Sequence, residues 1–148
     1  MKRHNSPVSY THLWDDKYKP NQDWNHAWGA APANIIPRRL MGVVPTEPGF
    51  SRIEIRPQPA GLEKAALRMP TIRGEVETVF ENMPGRFTLT TVLPANTKAD
   101  VYLPLPAGTK NYEVTVNGQP AGQTVREGNF VKIANQGSGK NVYVLNTK

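Results

Sequence analysis

From Ser51 onward the chain is a series of short segments whose apolar residues fall on every second position, cut apart by proline and glycine. A period of two places successive side chains on opposite faces of a strand and gives no continuous stripe to a helix. Ser51–Arg56 sets Ile53 and Ile55 on one face and Arg52, Glu54 and Arg56 on the other. Glu75–Phe80 and Arg86–Leu93 flank a turn containing Pro84 and Gly85, and Phe87 and Leu89 share a face. Ala99, Val101 and Leu103 alternate with Asp100 and Tyr102. Tyr112, Val114 and Val116 alternate and then meet Asn117-Gly118, the strongest short hairpin signal. Phe130–Ile133 and Asn141–Leu145 complete the set, with the turn-rich Gln136–Gly139 between them. Strands at this spacing predict a mainly β fold, an antiparallel β-sandwich of the usual size of about 100 residues.

The first third of the chain follows another rule. All three tryptophans (Trp14, Trp24, Trp28) and all three histidines (His4, His12, His26) precede residue 29. Residues 1–25 show no period. From Ala27 to Met41 the apolar positions Trp28, Ile35, Ile36 and Leu40 fit one face of a helix. Pro32 suits a first turn, whereas Pro37 falls in the interior and predicts a kink. Arg38, Arg39 and then Gly42 form a C-terminal signature. The two prolines of Gly42–Phe50 predict a stiff connector. The expected organisation is therefore a loop-and-helix part over residues 1–48 and a sandwich over residues 49–148.

Composition narrows the function. Twelve glycines and fourteen prolines in 148 residues argue against a helical bundle. Cysteine is absent, so no disulfide, thiolate metal site or cysteine nucleophile is possible. No apolar run approaches the roughly 20 residues of a membrane span, so no membrane partner is expected. The start, MKRHNSPVSY, lacks the apolar stretch of a secretory signal. The net charge of +6 splits as +2 over residues 1–50 and +4 over the rest, with no basic run, so no nucleic-acid partner is expected. No Gly-rich phosphate loop or Gly-x-Ser-x-Gly elbow occurs. His12 and His26 lack a clear third ligand, so neither a metal nor another cofactor is expected.

The chemistry-bearing residues cluster in Thr11-His12-Leu13-Trp14-Asp15-Asp16 and Asn21 to Gly29. Indole faces stack on the C–H faces of sugar rings, and Asp, Asn and His bond the hydroxyls. Carboxylates in such a setting are also the acid and base of glycoside hydrolysis. Taken singly the residues have plainer readings. Trp28 on the apolar helix face suits a core, and Asp23 ahead of a helix suits a cap.

The block Asp23-Trp24-Asn25-His26-Ala27-Trp28-Gly29-Ala30-Ala31-Pro32 resembles the last active-site loop and helix of bacterial α-L-rhamnosidases, glycoside hydrolase family 78. Gly42-Val43-Val44-Pro45 through Pro48-Gly49-Phe50, then Ile53–Pro57, resembles the junction leaving that family's catalytic barrel. Thr71-Ile72-Arg73-Gly74 and Val92-Leu93-Pro94-Ala95-Asn96 resemble turns of its C-terminal sandwich. The resemblance implies an (α/α)₆ barrel with β-domains and an inverting mechanism using two carboxylates. It implies that Asp15, in Thr11-His12-Leu13-Trp14-Asp15, stands where the family has a Glu general base. It also implies that His26 contacts the sugar, beside Trp14, Trp24, Asn25 and Asp23.

The family's general acid has no counterpart here. The chain is thus expected to be a C-terminal fragment, a hydrolase by family but inactive alone, whose parent takes a rhamnose-containing glycan. A periplasmic or secreted parent is the expectation for its compartment. The alternatives are a free-standing carbohydrate-binding module and a protein-interaction domain. Pairing of the exposed helix would give a homo-oligomer.

Overall fold

The computed structural model describes residues 31–148, which fall into two compact units, one ending at Ile35 and the other running from Ile36 to Lys148. Of the first unit the described part is α1 (Ala31–Ile35), with Pro32 in its opening turn, where a missing N–H breaks no bond.

The second unit opens with a π turn, Ile36–Leu40, closed by the Met41 N–H donating to the Ile36 carbonyl at 3.0 Å. The helix expected over Ala27–Met41 therefore has α geometry only to Ile35 in its described part. Pro37 supplies no N–H for an α-type bond, and the wider turn takes over at that point. Gly42 follows at φ +69°, and a Cβ there would lie 1.9 Å from the Arg56 carbonyl oxygen. Only glycine allows the backbone to pass this close, and the approach lets Arg56 N–H reach the Gly42 carbonyl at 3.0 Å.

Eleven strands follow: β1 (Val43–Pro45), β2 (Arg52–Ile55), β3 (Lys64–Thr71), β4 (Gly74–Met83), β5 (Arg86–Leu93), β6 (Lys98–Pro104), β7 (Tyr112–Val116), β8 (Gln119–Pro120), β9 (Val125–Glu127), β10 (Phe130–Gln136) and β11 (Gly139–Thr147). They form a five-stranded sheet ordered β1-β2-β6-β10-β9 and a six-stranded sheet ordered β3-β4-β5-β11-β7-β8. Every pairing is antiparallel except β2 with β6. The segment expected as a connector contributes β1, whose Val43 pairs with Ile55 and whose Pro45 pairs with Ile53. Proline is tolerated there because β1 is an edge strand. At the Asn117-Gly118 hairpin both residues have positive φ, 52° and 79°, the geometry that matches strand twist in a two-residue turn.

The inner faces of the two sheets close on one core. Ile53, Ile55, Val101, Leu103 and Val131 of the first sheet meet Val76, Phe80, Leu89, Tyr143 and Leu145 of the second, all buried. Met41 and Val43 are buried in the same core, and Leu40 packs against it. The long edge strand β3 presents Lys64, Arg68 and Pro70 outward, which blunts it against pairing with another chain. Lys64 bonds Glu81, and Arg68 reaches both Glu75 and Glu77.

Candidate functional site

The residues singled out for sugar chemistry, Trp14, Asp15, Asp23, Trp24, Asn25 and His26, lie outside the described residues. Among the described residues, no group of three His, Asp or Glu side chains could hold a metal ion. No helix among them is long and apolar enough to cross a membrane.

Two features of the sandwich bear on function. The first is the outer face of the five-stranded sheet, where charges and rings interlock. Strand alternation sends Arg52 and Glu54 of β2, Arg56 just after it, Asp100 and Tyr102 of β6 and Lys132 of β10 away from the core. Arg52 donates to Asp100 at 2.7 Å, and Lys132 lies 3.4 Å from the other oxygen of that carboxylate. A register shift between Ile133 and Gln136 turns the Asn135 N–H onto Asp100 as well, at 2.9 Å. Burial works to raise the Asp100 carboxyl, but the bonds from Asn135 and Arg52 and the charges of Arg52 and Lys132 outweigh it. The group sits below its ordinary value.

The Arg56 guanidinium lies 3.9 Å from the centroid of the Tyr102 ring, and Phe130 meets Tyr102 edge-on at 6.4 Å. This stacking explains why Tyr102, on an outward position, is only 5% exposed. Six carboxylates of the sandwich (Glu54, Glu75, Glu77, Glu81, Asp100 and Glu127) are held in ion pairs with Arg or Lys. Such groups are anchored as charges. They are not poised as an acid and a base across a bond. On the inner face, burial pushes the Tyr143 phenol up to about 12, so it stays protonated.

The second feature is a cleft of about 460 Å³ at one end of the sandwich, where the inter-strand turns of both sheets meet. Its residues come from five stretches: Gln58–Gly61, Asn82–Phe87, Pro104–Pro106, Asn129–Phe130 and Leu145–Thr147. No pattern along the sequence joins them, so the cleft had no signal before the fold was known.

At the opposite end three of the segments that carried the family resemblance come together. The Arg73 guanidinium donates to the Gly49 carbonyl at 2.5 Å and to the Asn96 carbonyl at 3.2 Å. Thr71 Oγ1 donates to the Gly74 carbonyl at 2.6 Å and closes the β3–β4 turn. One arginine thus ties the turn after β3 to the Pro48–Phe50 turn and to the turn after β5.

Comparison with known proteins agrees with this architecture. Residues 42–118, just over half of the chain, match the model of the bacterial alpha-L-rhamnosidase C-terminal domain. An alpha-L-rhamnosidase of Streptomyces avermitilis is 33% identical over 66 residues, 44% of this chain and 6% of that protein. The alpha-L-rhamnosidase of Dictyoglumus thermophilum has a similar fold over 83% of this chain and 14% of its own, with a TM-score of 0.74 at 24% identity. The Streptomyces avermitilis enzyme, solved in complex with L-rhamnose, matches over 82% of this chain and 11% of its own, with a TM-score of 0.65 at 26% identity. The chain therefore spans about a seventh or less of the length of these relatives. With the match running from the Gly42 crossing to the Asn117-Gly118 turn, the chain belongs to the family of the bacterial alpha-L-rhamnosidase C-terminal domain.

Proposed function

We propose that the chain is the C-terminal end of an inverting glycoside hydrolase acting on α-L-rhamnosides, and that it carries two things for that enzyme. Residues ahead of the sandwich supply one side of a sugar site. Asp15 is the candidate base that activates water, His26 bonds a sugar hydroxyl, and Trp14 and Trp24 offer stacking faces flanked by Asp23 and Asn25. The sandwich supplies stability. We place the division between the two at Ile35/Ile36, ahead of the residue 49 expected from composition, because Met41 and β1 belong to the sandwich core.

The observation that carries this reading is the order of the segments. The Asp23–Pro32 block stands directly before a region, residues 42–118, that matches the family's C-terminal domain. Inversion needs a second carboxylate on the other side of the scissile bond, and the family's general acid has no counterpart in this chain. The isolated chain should therefore leave an aryl α-L-rhamnoside intact. The test is to read the genomic DNA upstream of Met1 and express the longest continuous reading frame. Hydrolysis by that longer protein, reduced at least tenfold in kcat/KM by His26→Ala and by Asp15→Asn, supports the reading. A frame with no further domain, or turnover by the isolated chain, overturns it.

The homo-oligomer belongs to the same proposal. Ile36 is 46% exposed and Ile35 54%, each forgoing part of the roughly 1.5–3 kcal/mol that full burial of such a side chain gives. Light scattering at tens of micromolar should show a species larger than 16.4 kDa, and a stable monomer would remove this part of the proposal.

A further inference from the structure

We propose that the 460 Å³ cleft at the end of the sandwich is a sugar-binding subsite that takes one neutral pyranose, a 6-deoxyhexose such as L-rhamnose. Its volume falls within the roughly 300–1,000 Å³ of small-ligand sites. The floor is apolar, built from Phe87, Leu105 and Leu145, which are buried where the two sheets part. Phe130 and Pro104 form a half-exposed wall. A pyranose has the matching character, with a C–H face and, in a 6-deoxy sugar, a methyl group to set on such a floor.

The rim carries the polar half of the match. Gln58 and Asn129 are fixed through their main chains: the Gln58 N–H donates to the Leu40 carbonyl, and the Asn129 carbonyl accepts from Leu105. Neither side-chain carboxamide bonds a protein group among the described residues, and neither does the Arg86 guanidinium. Asn82 spends its Nδ2 on the Leu62 carbonyl at 3.3 Å and keeps its Oδ1 for a ligand. Carboxamides offer donor and acceptor together, which suits vicinal hydroxyls. The backbones are anchored in turns between strands, so the rim is held in place while its side chains remain open to a ligand.

The other large cavity, about 590 Å³ beneath the segment from Pro120 to Val125, lacks this combination. It has no aromatic ring, and its charges Glu127 and Lys132 are already paired with each other at 3.7 Å.

The choice of L-rhamnose as probe rests on the function proposed above. The class of ligand, a neutral polyol on an apolar floor, rests on the cleft alone, and every residue of the cleft lies between 58 and 147. The test is titration of the intact, isotope-labelled 148-residue chain with L-rhamnose into the millimolar range, followed by amide chemical shifts. Saturable shifts at Asn82, Phe87, Asn129 and Phe130 are expected. Asn129→Ala and Arg86→Ala should each weaken this response at least threefold, and both change rim side chains while sparing the Asn129 main-chain bond. Trp24→Ala and His26→Ala should leave it unchanged. Shifts confined to residues 1–35 would overturn the subsite while supporting the sugar site proposed there. No saturable shift at the cleft with either L-rhamnose or methyl α-L-rhamnoside would overturn the subsite as well.

Discussion

Residues before position 29 hold every tryptophan and histidine of the chain, while the core between Met41 and Leu145 is built from aliphatic side chains and a few phenyl and phenol rings. The first stretch has the residue types that do chemistry and no strand pattern. The second has the strand pattern, with its described carboxylates mostly locked in ion pairs. If the proposed function is right, reactivity and stability are carried by separate parts of this sequence, and substitutions should sort by region. The sharpest way to test that sorting is to move the cut between the regions.

A chain starting at Ile36 should unfold in a single cooperative transition. A chain starting at Gly49 loses Met41, Val43 and the β1 pairing with β2. Two fully buried side chains contribute about 3–6 kcal/mol at 1.5–3 each, a large share of the stability of a domain this size. Urea unfolding should place the shorter chain that much lower, or show it binding a hydrophobic dye without a transition. Equal midpoints for the two chains would show that the sandwich starts after β1.

Gly42→Ala probes the same junction through one atom. The added Cβ would strike the Arg56 carbonyl from a backbone at φ +69°. Either the β1–β2 pairing moves or the strain is held, at about 1–3 kcal/mol. The loss should appear in urea unfolding of the Ile36 chain and of the whole chain alike. An unchanged midpoint would mean that the crossing has room for a Cβ at position 42.

How much of this was legible beforehand varies by element, and the reasons are physical. Arg86–Leu93 and Tyr112–Val116 were readable to the residue, because one face is buried, the other is not, and turn residues bound both. Lys64–Thr71 carries little strand signal. As an edge strand it buries no side chain fully, so Ala, Leu and Met alternate with Lys, Arg and Pro too weakly to signal. Val125–Glu127 is exposed at all three positions and has no pattern to read. Val43–Pro45 resembled a linker because of its proline, yet an edge position needs no N–H there. Alternation alone sets Tyr102 outward, but only the structure shows Arg56 lying over its ring. Of the sites, the Trp–His cluster was legible as composition, whereas the end cleft is assembled from turns up to some ninety residues apart.

Asp100→Asn tests whether the ion-pair face stabilises the sandwich. The folded carboxyl sits below its ordinary value, so across that interval the folded chain binds fewer protons than the unfolded one, and stability rises with pH. The Asp100 contribution is complete above the unfolded value near about 4 and is lost as pH falls through the lower folded value. Arg52 is 32% exposed, and solvent screening holds the effect to about 1 kcal/mol. Urea midpoints of wild type and variant should therefore differ at pH 6 and converge in acid. A gap independent of pH would assign the loss to the geometry of the bonds from Asn135 and Arg52 and not to the charge of Asp100.

The smallest expected effect is the most direct test of the division. Trp24→Ala and His26→Ala remove large side chains, and in a packed core a Trp→Ala change costs about 3–5 kcal/mol. The sandwich, however, has a core of its own, whose fully buried members run from Met41 to Leu145. If chemistry and stability are separate, both variants should unfold within about 0.5 kcal/mol of wild type, the range of changes that touch no packed feature. Circular dichroism at a β-sheet wavelength follows the sandwich and is insensitive to the lost indole. It should give superimposable urea curves for the three proteins. A loss of 2 kcal/mol or more in either variant would make the cluster part of the same folding unit. Its tryptophans would then be core residues first, and the sugar-contacting role of His26 would lose its independent footing.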